Sequence, residues 1–272
     1  MKINIKAVSV LCLVLCLICG VCTAEGAKLN DGVYEGYFAQ PTYLIRATVT
    51  VANGAVSKVE YEECHDPNYW ATFTADEAAT LPTDEYIEVA GTRGATYYAK
   101  HAVVGVGDEA IYLTANGDGS AMPVYGNEEI ADFVEWLKES PENDAWYYEQ
   151  LAAGNYWVAL SDGTKLEELA VYTNTLKDGT VLSKEQSRFK TQVRHWTAVG
   201  TGVGTEFGEL GWQGNMDALA AALVENQFPQ GERTKNADNK VIIGDVVTGA
   251  TIESYQDYLA AAYAAYDLAI AE

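Results

Sequence analysis

The sequence predicts an α+β protein: antiparallel sheets, each covered on one side by helices, arranged in two similar lobes. Three observations predict it. Short alternating runs flank an Asn-Gly pair near the start, helical runs occupy the middle and the end, and the second half faintly echoes the first.

Asp31-Gly32 is a turn signal, and residues 33–38 read as a strand. Residues 45–51 (IRATVTV) alternate polar and apolar positions with β-branched enrichment, the pattern of a half-buried strand. Asn53-Gly54 is a hairpin turn, and 56–61 is its returning strand. Two or three further short strands fit between Tyr86 and Leu113. Asn127 caps a helix over 128–139, whose Ile130, Phe133, Val134 and Leu137 share one face. Ser140-Pro141-Glu142-Asn143 ends it and divides an N-terminal lobe, 28–140, from a C-terminal lobe, 141–272. A second helix, 144–153, stops at Gly154.

The echo pairs Gly154-Asn155-Tyr156 with Gly32-Val33-Tyr34, residues 169–184 around Asp178-Gly179 with the first hairpin, and Gly249-Ala250-Thr251 with Gly94-Ala95-Thr96. Duplication and chance similarity of two β-rich halves both account for matches this short. Residues 216–225 form an alanine- and leucine-rich helix, and 254–270 a longer one opened by a Ser254/Asp257 capping box. Tyr255, Tyr258, Leu259, Ala262, Tyr263 and Tyr266 give that helix a broad apolar face suited to core packing.

The first 24 residues are a targeting segment: Lys2 and Lys6, then an uncharged apolar run from Ala7 to Val21, too short for a permanent span. A cut after Ala24 suits the small residues there, and acylation at Cys19 or Cys22 competes with it. The protein is therefore expected outside the cytoplasm, periplasmic or at the cell surface, with a lipid anchor as its one route to a membrane. Losing Lys2 and Lys6 leaves 15 basic against 39 acidic residues, about 24 negative charges net. Such a chain repels nucleic acid and anionic lipid. Cys64 is the one cysteine beyond the targeting segment, which excludes an intrachain disulfide after the cut. Cys64 reads as a half-buried small hydrophobe, and its acidic and His65 neighbours as a solvated turn before Pro67, since their spacing matches no standard metal site.

The chemistry concentrates in Asp245-Val246-Val247-Thr248-Gly249-Ala250-Thr251, between a strand at 241–243 and the last helix. Gly249 and Ala250 give a bare approach to the Thr251 hydroxyl. With Thr251 at or just before a helix N-terminus, free amides and the helix dipole would stabilise a phosphate there. The plainer reading makes Thr251 an ordinary N-cap.

This segment, Asp-x-x-Thr-Gly-Ala-Thr, resembles the flavinylation motif of bacterial extracytoplasmic FMN-binding domains. These occur in sodium-pumping quinone reductase and Rnf subunits and in exported electron-transfer lipoproteins. Five constrained positions coincide by chance about once in 10⁵ places, so the match is specific. Residues 31–36 and 49–56 are similar to the first strands of such domains. The resemblance implies FMN held covalently through its phosphate on Thr251, attached from FAD by a flavin transferase. Asp245, Thr248, Gly249 and Ala250 would be the recognition segment. It implies FMN-binding-domain-like lobes and an electron carrier, rather than an enzyme with its own substrate, serving a quinone-linked complex or a cytochrome. The earlier copy has Arg93 and Ala90 where the motif has Ser/Thr and Asp, so Thr96 is expected to carry no flavin. His195, Trp196 and the glycines of 200–204 loosely resemble a flavin-lining segment, or form a loop between strands. The alternative function is an exported surface protein or antigen, or one binding a small ligand non-covalently.

Overall fold

The computed structural model describes residues 28–92, 94–166 and 210–271. Three long strands open it: β1 (Gly32–Gln40), β2 (Tyr43–Ala52) and β3 (Ala55–His65), an antiparallel meander in that order. Asn53 and Gly54 both adopt positive φ, 56° and 72°, as a two-residue hairpin whose twist matches the flanking strands requires. Alternation along β2 sends Ile45, Ala47, Val49 and Val51 to one face and Leu44 to the other.

The first face is covered by the far end of the chain. Helix α6 (Tyr255–Ala269) lies on β1 and β2, and α5 (Gly211–Glu225) lies on β3. Gly36 decides how closely α6 sits, because a Cβ there would run into the Ala261 carbonyl oxygen and the Ala265 amide nitrogen. The helix answers with small residues: Ala261, Ala262, Ala265 and Ala269 are fully buried. The termini of the described chain are also laced together, Asn30 N–H donating to the Ala269 carbonyl and Ala271 N–H to that of Lys28, both at 2.9 Å.

The second face feeds a different core. Ala39, Leu44 and Cys64 pack with residues drawn from 70 to 158. This middle region holds the short helices α1 (Pro67–Trp70) and α2 (Ala75–Ala78), and two further antiparallel sheets. One comprises β4 (Thr72–Phe73), β6 (Thr96–Ala99) and β5 (Tyr86–Val89), with β6 central. The other runs β11 (Lys165–Leu166), β10 (Tyr156–Ala159), β7 (His101–Val104), β8 (Ile111–Asn116), β9 (Val124–Gly126). Helices α3 (Phe133–Glu139) and α4 (Pro141–Ala153) cover it, and Trp70 Nε1 donates to Tyr147 Oη (3.1 Å), which donates to the His65 carbonyl (2.8 Å).

The α+β class with antiparallel sheets is what the sequence predicts. The detail differs in four places. The helix expected over 128–139 begins at Phe133, because Asp132 caps it while Asn127 caps a separate turn through the amides of Glu129 and Ile130. Ser140, expected at a lobe boundary, is a corner inside one core: it ends α3, caps α4, and Phe133, Leu137, Tyr147 and Leu151 from both helices pack together. Strand β10, expected to open the C-terminal lobe as β1 opens the first, stands between β11 and β7 in the sheet of the middle region instead; the hairpin of that echo, 169–184, lies outside the described residues. Glu63, His65 and Asp66 are buried rather than a solvated turn, and Cys64 is fully buried, its thiol pushed up by desolvation.

Gly36→Ala is expected to destabilise the protein by the upper end of roughly 1–3 kcal/mol, because the clash is with helix backbone and cannot be relieved by a rotamer. Urea unfolding checks it. An unchanged midpoint would mean α6 does not press on β1 as described.

Candidate functional site

The motif segment follows a small sheet of β12 (Arg233–Lys235), β13 (Val241–Ile243) and β14 (Val246–Val247). Gly244 and Asp245 form the two-residue turn between β13 and β14, with Gly244 at φ 57°. A side chain on Gly244 would also strike the Gln230 carbonyl. Beyond β14 the chain turns back on β13. Thr248 N–H donates to the Val241 carbonyl, and Val241 N–H to that of Ala250, both at 2.8 Å. Thr248 is buried, and its hydroxyl accepts the Ala250 amide at 3.1 Å, pinning the bend.

Alternation does the rest. Ala250 and Ile252 point into the first core and are fully buried, so Thr251 between them is turned partly outward. Its backbone is held by a residue that sequence reasoning missed. Asn215 of α5, itself fully buried, accepts the amides of Thr251 (2.6 Å) and Ile252 (3.0 Å) on one side-chain oxygen. The Thr251 hydroxyl lies 3.4 Å from the same oxygen, and the Asn215 side-chain amide donates to the Gly211 carbonyl at 2.7 Å. Asn215 shares the buried side of α5 with Trp212, Met216, Leu219 and Leu223. One amide on an otherwise apolar face was the available signal, since a buried polar group needs partners.

A cation stands beside the threonine. Lys235 Nζ donates to the Thr251 carbonyl at 3.0 Å and to Glu253 at 2.9 Å, and this bond holds the Glu253 carboxyl below its ordinary range. Lys235 also lies 5.8 Å over the Tyr255 ring.

The structure therefore places the five motif residues unevenly. Thr248, Gly249, Ala250 and Thr251 form one bend against α5, with Gly249 facing Ala218; Asp245 sits exposed at the preceding turn. A Cβ on Gly249 would meet Ala218 only at ordinary contact, 3.4 Å, so the approach there is close but not barred. Thr251 lies just before the helix, as expected: Ser254 is the N-cap and α6 starts at Tyr255. The free amides expected around Thr251 are taken by Asn215, so the favourable charge beside it is Lys235 rather than a helix dipole. The Ser254/Asp257 capping box does not form either. The Ser254 side chain makes no cap bond, and Asp257 accepts the Tyr43 hydroxyl at 2.6 Å. Thr96 differs in context, being exposed at the start of strand β6. His195, Trp196 and 200–204 lie outside the described residues.

A polar groove of about 840 Å³ lies along α5, lined by Gln213, Met216, Asp217 and Ala220 together with Arg46, Lys58, Glu60 and Glu62 of the sheet. At 100° per residue, Gln213 and Ala220, at the centre of that lining, lie on the flank opposite Asn215 and Ala218. The groove and the Thr251 bend are thus separate features.

Comparison with known proteins adds no relative: no protein-family model, no curated protein and no solved structure matches the chain.

Asn215→Ala should cost roughly 1–3 kcal/mol for each of the two amides left unmet, and Asn215→Asp, which keeps an acceptor, should cost less. Denaturant unfolding of the pair tests this. Equal losses would show that packing, not the shared oxygen, explains the residue.

Proposed function

We propose that this chain is an exported flavoprotein that holds FMN through a phosphoester on Thr251 and serves as an electron carrier. The observation that carries the reading is the presentation of Thr251. The last residue of the motif is turned outward between two buried neighbours, on a backbone fixed by Asn215, with an ammonium group at its carbonyl. Two features favour a phosphate ester: Thr251 is half-buried rather than sealed in the core, and Lys235 can share its positive charge with a phosphate as well as with Glu253.

In attachment, the Thr251 oxygen forms a bond to the phosphorus on the FMN side of FAD. The pyrophosphate bond to AMP breaks, AMP departs, and the hydroxyl proton passes to a base of the flavin transferase or to water. FMN, once bound, supplies one- and two-electron chemistry. The chain's own residues tether and orient it. Asp245, Thr248, Gly249 and Ala250 present the segment to the transferase, Asn215 fixes the backbone, and Lys235 offsets phosphate charge. The excess of acidic residues disfavours an anionic reduced flavin and lowers its potential, over distances limited by screening to roughly 8–10 Å. Covalent attachment suits a protein outside the cytoplasm, where a dissociated flavin diffuses away. The redox partner on this reading is a quinone-linked complex or a cytochrome. Among the described residues no helix is long and apolar enough to cross a membrane; acylation at Cys19 or Cys22, in place of the cut after Ala24, would add a lipid anchor.

The FMN-binding-like unit is read as β1–β3 with the segment from α5 to α6, since these share one core. The second lobe of the two-lobe reading then corresponds to the interposed residues around the second core, with Thr96 unmodified.

Intact mass of the protein co-produced with a flavin transferase is the test. One added FMN is expected in the parent chain and none in Thr251→Ala. No addition, with the transferase active on another substrate, would overturn the covalent reading in favour of an exported non-covalent binding or surface protein.

A further inference from the structure

The long meander has an edge that the flavin reading does not use. β3 is its last strand, with no strand beyond it among the described residues. The phase of the pairing fixes which main-chain groups of β3 face outward. Asp66 N–H donates to the Thr42 carbonyl at 3.3 Å, and opposed antiparallel residues alternate between bonded and unbonded pairs. Lys58, Glu60 and Glu62 therefore direct their main-chain groups to β2, and Val59 and Tyr61 direct theirs away from the sheet. The register shift at Ser57 resets the alternation and turns Val56 outward as well. There a side chain closes the edge: Gln227 accepts the Val56 amide at 2.8 Å and donates to its carbonyl at 3.0 Å. Val59 and Tyr61 have no such cover among the described residues.

Both residues line the polar groove of about 840 Å³ along α5. Their side chains are buried in the first core, so the groove meets their main chain. The opposite wall is α5, which contributes Gln213, Asp217 and Ala220 at i, i+4 and i+7 spacing. A free strand edge facing the flank of a helix is the geometry in which an extended peptide adds a strand. Its main chain bonds to the edge, and alternate side chains turn to the helix. Val59 and Tyr61 each offer an N–H and a carbonyl, about 7 Å apart along the strand. Charge then identifies the partner's chemistry. Arg46 is bridged to Glu62, and Lys58 to Glu60 at 2.7 Å. Asp217 accepts from Gln213 Nε2, a neutral donor, at 2.8 Å and meets no cation among the described residues. One carboxylate in the groove is left uncompensated.

We propose that this groove takes an extended segment of a partner polypeptide, which adds a strand to β3 and sets a lysine or arginine against Asp217. Alternation turns every second side chain of the segment toward α5, beside Met216 and Ala220, and the others to the open face by the Lys58–Glu60 pair. Apolar residues with one cation among them suit the first set, and hydroxyl side chains the second. The strong negative charge of the whole chain draws a basic segment in and repels a second copy of the chain. The groove and the Thr251 bend are formed by different residues, so the site is independent of whether flavin is attached.

The probe is the end-blocked heptapeptide Thr-Val-Thr-Lys-Thr-Val-Thr, which reads alike in both directions. It is added to the dilute mature protein while amide hydrogen exchange is followed by NMR. In the protein alone, the amides of Val59 and Tyr61 should exchange roughly tenfold or more faster than those of Lys58, Glu60 and Glu62, whose partners lie on β2. The peptide should slow the two outward amides saturably, by roughly fivefold or more. A version with glutamate in place of the lysine should bind roughly fivefold more weakly or worse, and Asp217→Asn, at an exposed position, should erase that preference. Slow exchange at Val59 and Tyr61 in the dilute protein alone would mean that the chain closes its own edge. Slowing that grows with protein concentration would mean a second copy. Either result overturns the proposal, as would a peptide that leaves both amides unchanged or equal affinity of the two peptides for the parent protein.

Discussion

The approach of α6 to β1 across Gly36 is the constraint on which the remaining arrangement depends. A helix whose backbone nearly touches a strand can carry only small side chains along the contact, and the run of alanines in α6 follows from that. Its tyrosines then project to the sides. Tyr258 donates to the buried Glu63 of β3 and accepts from Trp212 Nε1 at 2.8 Å, locking α5 and α6 to the same sheet. With both helices fixed, the bend at 248–252 has one place to lie, across the flank of α5 that carries Asn215. The presentation of Thr251 is thus traceable to a missing Cβ more than two hundred residues earlier in the chain.

The meander β1–β3 is shared between two cores, and this explains how a segment from Pro67 to Leu166 can be interposed without disturbing the unit it interrupts. One face of the sheet carries the helices from the end of the chain. The other offers Ala39, Leu44 and Cys64 to the middle region. The junction at Glu63-Cys64-His65-Asp66 therefore passes through the protein interior. Its acids meet different fates: Glu63 is hydrogen-bonded to Tyr258, whereas burial pushes the Asp66 carboxyl well above the usual carboxylate range.

The sequence makes the local elements plain and the assembly obscure. The Asn53-Gly54 hairpin, the alternation of β2 and the tyrosine face of α6 are short-range patterns, each readable within one or two turns of chain. The motif ending at Thr251 is equally local. The division at Ser140 fails for the opposite reason. A Ser-Pro corner looks the same between two domains as between two helices of one core, and only the packing of Phe133 against Tyr147, with ring centroids 5.1 Å apart, distinguishes them. Asn215 and Lys235 were invisible as site residues because their roles depend on meeting a segment 36 and 16 positions away, respectively. The expected phosphate-stabilising amides at Thr251 fail although the helix starts where the sequence places it, at Ser254, because the buried Asn215 oxygen takes them.

The central claim is that Thr251, and not the similar Thr96, carries the flavin. Trypsin separates the two: cleavage after Lys240 leaves residues 241–272 as one peptide, and cleavage after Arg93 and Lys100 releases 94–100. A peptide map of the protein isolated after co-production with a flavin transferase reads both at once. The account predicts FMN on the 241–272 peptide, localised to Thr251 by fragmentation, with the 94–100 peptide unmodified. Flavin on Thr96, or on neither peptide from visibly yellow protein, would contradict it.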